Sequence, residues 1–385
     1  MGYHLLISAI EFLTRSRSKS KTSSPKKIIA TATFYSDHWI KTHLQPLAQS
    51  SQCEELLMVA STPVPELDKV TALYPPPWLK IILGSVGSRL AYFSYIVLKE
   101  RPDVLVGFHL LLNGLLVLLL GKITGAKSVY ICGGGRVEVE GGGYNTENRI
   151  FNKIGQPDFF IERQLLKAVN KIDLVVTMGS GAIDFFKEKG VDSQFEIMPG
   201  GFDESLFIPT ETKPEFDLIL VGRLSQVKRV DRFLRALKLS TSKATVLTAV
   251  IVGCGPLRAE LEQLTAELGL TEQVSFVGWK NDIEQWLQKS RVFVLTSDSE
   301  GLSQAMIQAM MCGLPVIVSD VGDLKDLVQD GYNGYLVPTL TPESFSAAFD
   351  QIFENDKSIL MGKHALDDVR KLSIDQVALQ WDRVL

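Results

Sequence analysis

The sequence predicts an α/β protein of two Rossmann-like, doubly wound parallel-sheet domains, and three observations carry that prediction. Short aliphatic or β-branched runs alternate with helical segments from Lys27 to Gly133, and the same strand, loop, helix order returns after residue 214. The runs Val292–Thr296 and Pro315–Ser319 are apolar on both faces, as strands inside a parallel sheet are. Between the two series, Pro209–Pro214 (PTETKP) has the composition of a linker. The expected divisions are a basic segment 1–26, a first domain 27–208, a second 209–368 and a terminal helix 369–385.

Composition narrows the function. A chain of 385 residues, 45% hydrophobic and 22% charged, can bury large cores. Its net charge of −4 argues against a nucleic-acid binder, which needs surplus Lys and Arg against phosphates. Cys53, Cys132, Cys254 and Cys312 form no C-x-x-C pair, so neither a zinc site nor a disulfide framework is indicated, and reduced thiols in the cytoplasm are expected. The start of the chain lacks the pattern of a secretory signal, because its charges follow the apolar run and Glu11 breaks that run. Six basic residues and no acid lie between Arg15 and Lys27. They read equally as a solvated tail and as a peripheral contact with anionic lipid at the cytoplasmic face of a membrane. The longest apolar stretch, Phe108–Leu120, is interrupted by Asn113 and shorter than the about 20 residues a span requires, so no transmembrane helix is predicted.

In the first domain the expected strands are IIATATF, ELLMVAS, KIILG, DVLVGF and SVYICG, with helices around His43–Gln49, Arg89–Lys99 and Leu110–Thr124. Glycine triplets at Gly133–Gly135 and Gly141–Gly143 bracket RVEVE. Either a ligand loop or a flexible hairpin fits them, and the G-x-G-x-x-G spacing of a dinucleotide site is missing. Gly133, Gly134, Gly135 and Arg136 follow a strand end directly and are the better candidates for a ligand loop.

The second domain opens with DLILVGRLSQVKRVDRFLRAL, a strand, a loop and a helix, which places Arg223 and Lys228 where backbone dipoles favour an anion. TAVIVGCGPLRAELEQL and VSFVGWKNDIEQWL repeat the pattern, with Gly253, Gly255, Gly278 and Trp279 at strand exits. Then VFVLTSDSEGLSQAMIQAMMCGLPVIVSD gives strand, loop, helix and strand. Glu300 stands on the lip of the loop, Gly301, Leu302 and Ser303 lead into the helix, and Gln304 and Gln308 share a face expected to look into a cleft.

This last stretch resembles the signature of family 4 retaining glycosyltransferases of the GT-B fold: two glutamates eight positions apart, the first followed by Gly, then Ala-Met-x-Cys-Gly-x-Pro-Val. Here the match is Glu300-Gly301 and Ala309-Met310-Met311-Cys312-Gly313-Leu314-Pro315-Val316, with Gln308 in place of the second glutamate. Gly222-Arg223-Leu224 with Lys228, and Pro102-Asp103-Val104 with His109, resemble further parts of the family pattern. The resemblance implies two Rossmann-like domains facing a central cleft, and transfer of a sugar from a UDP- or GDP-linked donor to a glycan or lipid-linked acceptor with retention. It implies no metal and no cofactor, and a terminal helix that crosses back to the first domain. By the same resemblance Arg223 and Lys228 clamp the diphosphate, Glu300 meets sugar hydroxyls, His109 faces the donor sugar, Gly278 and Trp279 hold the base, and Gln308 reads the ribose. A sugar-nucleotide epimerase of the same fold and a non-catalytic binding subunit are the alternatives; a nicotinamide-dependent dehydrogenase has the least support.

Overall fold

The computed structural model describes residues 25–32, 37–144, 156–211, 213–240, 246–354 and 357–385. The basic segment 1–26 therefore falls, except for its last two residues, outside the described residues, as does Thr212 of the linker. The chain divides into two compact units, residues 1–201 with 374–385 and residues 202–373. The first boundary comes seven residues before the expected one because Phe202 is buried in the second unit's core and donates its amide to Leu372 O at 2.9 Å. The second boundary falls at Ser373 for the same reason, since that residue bridges to Phe202.

The first unit is a seven-stranded sheet in the order β3-β2-β1-β4-β5-β6-β7, every pair parallel. Its strands are β1 (Lys26–Thr31), β2 (Cys53–Val59), β3 (Val70–Leu73), β4 (Val104–Phe108), β5 (Lys127–Cys132), β6 (Leu174–Thr177) and β7 (Phe195–Ile197). Its helices are α1 (Asp37–Gln49), α2 (Pro77–Glu100), α3 (Leu115–Thr124), α4 (Phe159–Val169), α5 (Ser180–Glu188) and, from the chain end, α12 (Ile374–Val384). α12 buries Val377, Ala378, Trp381 and Val384, and Asp382 accepts from Ser50 Oγ at 2.6 Å and Ser51 N at 2.7 Å behind α1. Central β4 is buried at all five positions, as the two-sided cover of a parallel sheet demands.

Three expectations for this unit are corrected. KIILG is not a strand; it lies inside α2, which begins at Pro77 with its ring already set for a first helical position, while the edge strand is Val70–Leu73. Leu110–Thr124 is not one helix, because His109 (φ 64°) and Leu112 (φ 70°) take left-handed conformations and Asn113 Nδ2 donates to Phe108 O at 2.6 Å, so the regular helix starts at Leu115. RVEVE forms no hairpin; Gly135–Glu138 and Glu140–Gly142 are two short helical turns.

The second unit has six parallel strands: β8 (Phe216–Val221), β9 (Ala249–Val252), β10 (Val274–Gly278), β11 (Ser290–Leu295), β12 (Val316–Ser319) and β13 (Gly334–Val337). They run β10-β9-β8-β11-β12-β13, which is the doubly wound order 3-2-1-4-5-6 counted within the unit. Helices α6 (Val230–Leu239), α7 (Arg258–Glu267), α8 (Ile283–Gln288), α9 (Gln304–Met311), α10 (Pro342–Ile352) and α11 (Lys357–Val369) complete it. One core gathers around Phe233, Phe345 and Phe349, the other around Phe293, Met306 and Met310 on the opposite face.

Candidate functional sites

In a doubly wound sheet the strand order reverses at one point, and the loops leaving the carboxyl ends of the two strands there part to leave a crevice. In the second unit that point lies between β8 and β11. Lys228, from the loop after β8, and Glu300, from the loop after β11, meet across it, Nζ to Oε1 at 2.5 Å, both largely buried. Ser297 Oγ donates to the same Glu300 oxygen at 2.5 Å. Thr296 Oγ1 fixes the approach from the other side by donating to Lys228 O (3.1 Å) and Arg229 O (2.9 Å).

Lys228 was expected at a helix start; it instead ends a short turn, Gln226–Lys228, and α6 begins two residues later after left-handed Arg229. Arg223 is exposed, and its guanidinium has no ion-pair partner among the described residues.

Around the crevice the strand-exit loops interlock through backbone. Gly222 N donates to Val252 O (3.0 Å), Gly253 N to Gly278 O (2.8 Å) and Leu224 N to Cys254 O (3.0 Å). A Cβ on Gly253 would stand 1.9 Å from Gly222 O, and one on Gly255 2.2 Å from Leu224 O, so both positions exclude any side chain. Trp279 is 67% exposed, with Nε1 donating to Asn281 Oδ1 at 3.0 Å, so the indole does not cover the unit's own core. Gly301 and Leu302 lie in the loop before α9, and Ser303 caps the helix, its Oγ accepting from Met306 N at 3.3 Å. Gln304 is half-buried and Gln308 only 5% exposed. A groove of about 620 Å³ along β13, α10 and α11 holds none of the candidate residues.

Sequence reasoning missed a charged cluster beside this crevice. Asp298 is held by Arg232 (2.7 Å) and Arg229 (3.1 Å), Arg229 also pairs with Asp231 (3.0 Å), and buried Arg232 donates to Thr296 O at 2.6 Å. Burial opposes ionisation of Asp298, but the two guanidiniums outweigh it and hold the carboxyl below the usual range. The signal was present in the arginines of VKRVDRFLRAL, which read as a solvated helix face.

In the first unit the strand order reverses between β1 and β4, and His109 is the first residue beyond β4. Its Nδ1 lies 2.9 Å from Glu138 Oε1, and its ring is near-parallel to Trp39 at 6.4 Å. Its Nε2 is shielded and has no hydrogen-bond partner within the described residues. Glu138 is the second residue the sequence did not reveal. Buried among glycines, its Oε1 accepts from His109 and Gly134 N (2.6 Å), its Oε2 from Leu110 N (2.7 Å) and Tyr130 Oη (2.8 Å).

The glycine triplet serves this arrangement: a Cβ at Gly133 would stand 3.2 Å from His109 Cε1, and one at Gly134 2.9 Å from Glu138 Cγ, while Gly135 has φ 68°. Arg136 is exposed and pairs loosely with Glu140 at 3.3 Å. Burial lowers the affinity of the His109 ring for its second proton, but the charge and hydrogen bond of Glu138 more than compensate, and the pKa is raised. The same pairing, with two backbone amides, holds Glu138 low against the opposing effect of burial.

His43, whose ring lies 4.2 Å from Trp39, is pushed down to about 3 by burial and then by the charges of His109 and His38. The unfolded chain takes up this proton near pH 6.5 and the folded chain only near 3, so stability from this residue is full above 6.5 and is lost as pH falls through that window. From pH 7 to 5.5 the loss is about 1–1.5 kcal/mol. Urea denaturation of wild type and His43→Leu at both pH values measures it. The variant is expected to show the smaller drop, and equal drops would remove the assignment.

Two parallel-sheet units of this order, with polar residues gathered at their switch points, define a GT-B fold. Residues 202–364 match the family model described as glycosyl transferases group 1, a stretch lying wholly within the second unit. The chain is 29% identical over 220 residues to the UDP-Gal:alpha-D-GlcNAc-diphosphoundecaprenol alpha-1,3-galactosyltransferase of Escherichia coli, covering 50% of this chain and 57% of that one. It is 41% identical over 88 residues to the Vi polysaccharide biosynthesis protein VipC/TviE of Salmonella typhi, 23% of this chain and 15% of that one. The matched stretches thus span less than two thirds of these relatives. Among solved structures, Anabaena HepE in complex with UDP superposes with a TM-score of 0.70 at 17% identity, over 92% of this chain and 98% of that one. The family match and the relatives' names support a sugar-transferring function.

Proposed function

We propose that the protein transfers a sugar, with retention at the anomeric carbon, from a UDP- or GDP-linked donor to a glycan or lipid-linked acceptor, without a metal ion or cofactor. The observation that carries this reading is the Lys228–Glu300 pair across the second unit's switch point, with exposed Arg223, which has no ion-pair partner among the described residues, in the same loop as Lys228. An arriving diphosphate draws Lys228 and Arg223 to its oxygens, which frees Glu300 to accept hydrogen bonds from sugar hydroxyls. Fixed cations then neutralise charge as the diphosphate leaves. Asp298, the acid best placed to hold a metal, is committed to Arg229 and Arg232. The E. coli relative is named for a UDP-Gal donor and a diphosphoundecaprenol acceptor, and the HepE structure contains UDP, so the same chemistry is assigned here. The four free thiols suit the reducing cytoplasm, where we place the reaction.

A panel of UDP- and GDP-sugars, with and without lipid extract, tests the proposal. Nucleotide release that depends on acceptor, with an anomerically retained product, is the expected result. Conversion of donor alone identifies an epimerase, and binding without turnover identifies a subunit; either outcome overturns the reading.

Gln308 supplies a sharper test. At this buried position a carboxylate carries a charge out of water where glutamine carries none, which costs stability in the free protein. With nucleotide bound, the charged acceptor strengthens the contact by about 1.4 kcal/mol, roughly tenfold in affinity. Gln308→Glu is therefore expected to melt earlier than wild type when free, to gain more from added UDP, and to bind donor more tightly. Thermal melts and donor titrations check this; equal UDP-induced shifts in both proteins would detach Gln308 from the ribose.

A further inference from the structure

α2 is 24 residues long and apolar enough over an 18-residue window to cross a membrane by length and composition. It does not read as a span. Its later part packs into the first unit through Ser88, Arg89, Phe93, Ile96 and Val97, and buried Arg89 donates to Thr31 Oγ1 at 2.7 Å and Asn113 Oδ1 at 2.8 Å. Gly84, with φ 68° and ψ 178°, breaks the helix and separates off its first two turns. Those turns leave most of their large apolar side chains open: Trp78 is 60% exposed, Ile81 85%, Ile82 68% and Leu83 47%, with Leu79 half-buried, and Val86 beyond the break is 43%. A helix carrying this many large apolar residues in full exposure is unlike an ordinary surface helix, which turns its apolar stripe to the core.

We propose that Pro77–Val86 is an interfacial helix that lays the first unit on an anionic lipid bilayer. The breadth of the apolar face selects this occupant. Trp78, Leu79, Ile81, Ile82 and Leu83 cover about 200° of the helical circumference, leaving Lys80 on the far side, whereas a protein groove receives a stripe of about 100°. A fluid acyl boundary accepts the wider arc. Trp78 at the helix entrance matches the preference of indole for the headgroup level, and a lysine opposite the apolar face reaches back to the phosphates.

Charge points the same way. Between Lys69 and buried Arg89 the chain carries one charge, the exposed Lys80, and no acid. A second copy docking by this face would set like charges together; lipid phosphates complement them. The inference does not rest on the transferase reading, since it stands on exposure and charge alone.

Co-sedimentation of the full chain with vesicles of phosphatidylcholine, with and without phosphatidylglycerol, tests it in the absence of any nucleotide sugar. Wild type is expected to partition onto the anionic vesicles, and the Ile81→Asp, Ile82→Asp double variant to partition at least about tenfold less. Because both side chains are exposed, the variant should keep the wild-type circular dichroism spectrum and melting temperature. Brominated lipid should quench an emission component present in wild type and missing in Trp78→Phe. Failure of wild type to bind vesicles, or equal binding by the double variant, overturns the proposal. So does a lipid-free dimer of wild type that the double variant splits, which would assign the face to a second copy. A chain lacking residues 1–26 should retain most of its binding; loss in that deletion while the double variant binds normally transfers the membrane contact to the basic segment.

Discussion

Lys228→Ala is expected to lower turnover about a hundredfold or more, the usual scale for removing one group that meets charge as it develops on a leaving group. Lys228 stands at the one place in the second unit where strand order reverses, in contact with Glu300, so under the proposed reaction its loss removes a cation from the departing diphosphate, and it leaves a largely buried carboxylate without its partner. Those two consequences separate experimentally. If the effect is chemical, single-turnover rates fall while the melting temperature changes little, and Arg223→Ala, which disturbs no ion pair, shows a loss of similar size. Lys228→Arg should recover only part of the rate, because a planar guanidinium does not reproduce a compact ammonium at 2.5 Å from Glu300. Near wild-type turnover in both alanine variants would remove the clamp from the mechanism.

The largest stability effect is expected at Glu138. Each of its oxygens accepts two hydrogen bonds, so Glu138→Ala leaves four donors without an acceptor in a buried pocket. Breaking such a buried pair costs about 3–5 kcal/mol, which lowers the transition of a unit this size by roughly 10 °C. Glu138→Gln is not conservative either: whichever oxygen becomes NH₂ confronts two donors with a donor. In the glutamine variant His109 also loses its anion, so the imidazolium is less favoured and its pKa falls, visible as an NMR titration displaced to lower pH. A glutamine variant with wild-type melting and an unmoved His109 titration would show that the carboxylate neither supports the pocket nor sets the charge of the ring.

The limits of the sequence show in particular residues. Both sheets were legible because β4 and the runs 292–295 of β11 and 316–318 of β12 are apolar on both faces, a pattern that a two-sided cover explains. KIILG was not, because three apolar residues shortly after prolines fit a short strand as well as the start of a helix, and only the turns that follow Gly84 decide between them. Lys228 and Glu300 were legible singly, through local motifs, but their contact joins residues 72 positions apart and depends on the order of strands. Glu138 was the hardest. A glutamate between glycine triplets reads as solvated loop, and its four partners come from segments around residues 109, 130 and 134 that adjoin only when β4 and β5 pair. Arg229 and Arg232 were hidden differently, since an amphipathic helix start rich in arginine is the common appearance of a wet surface.

The bridge between Phe202 and Ser373 bears on how such a protein is assembled and altered. The second unit is a single uninterrupted stretch whose ends are held side by side, so it enters and leaves its host at almost the same place. The host's own severed ends adjoin as well: a Cβ on Gly201 would stand 2.9 Å from Ile374 Cα. A segment with neighbouring ends can be cut out, expressed alone or exchanged for another of equal span without displacing the strands on either side. Recombination at these two seams would replace the whole of the 202–364 family match in one event while leaving His109, Glu138 and the exposed prow of α2 untouched. The two units would then be inherited as separate cassettes.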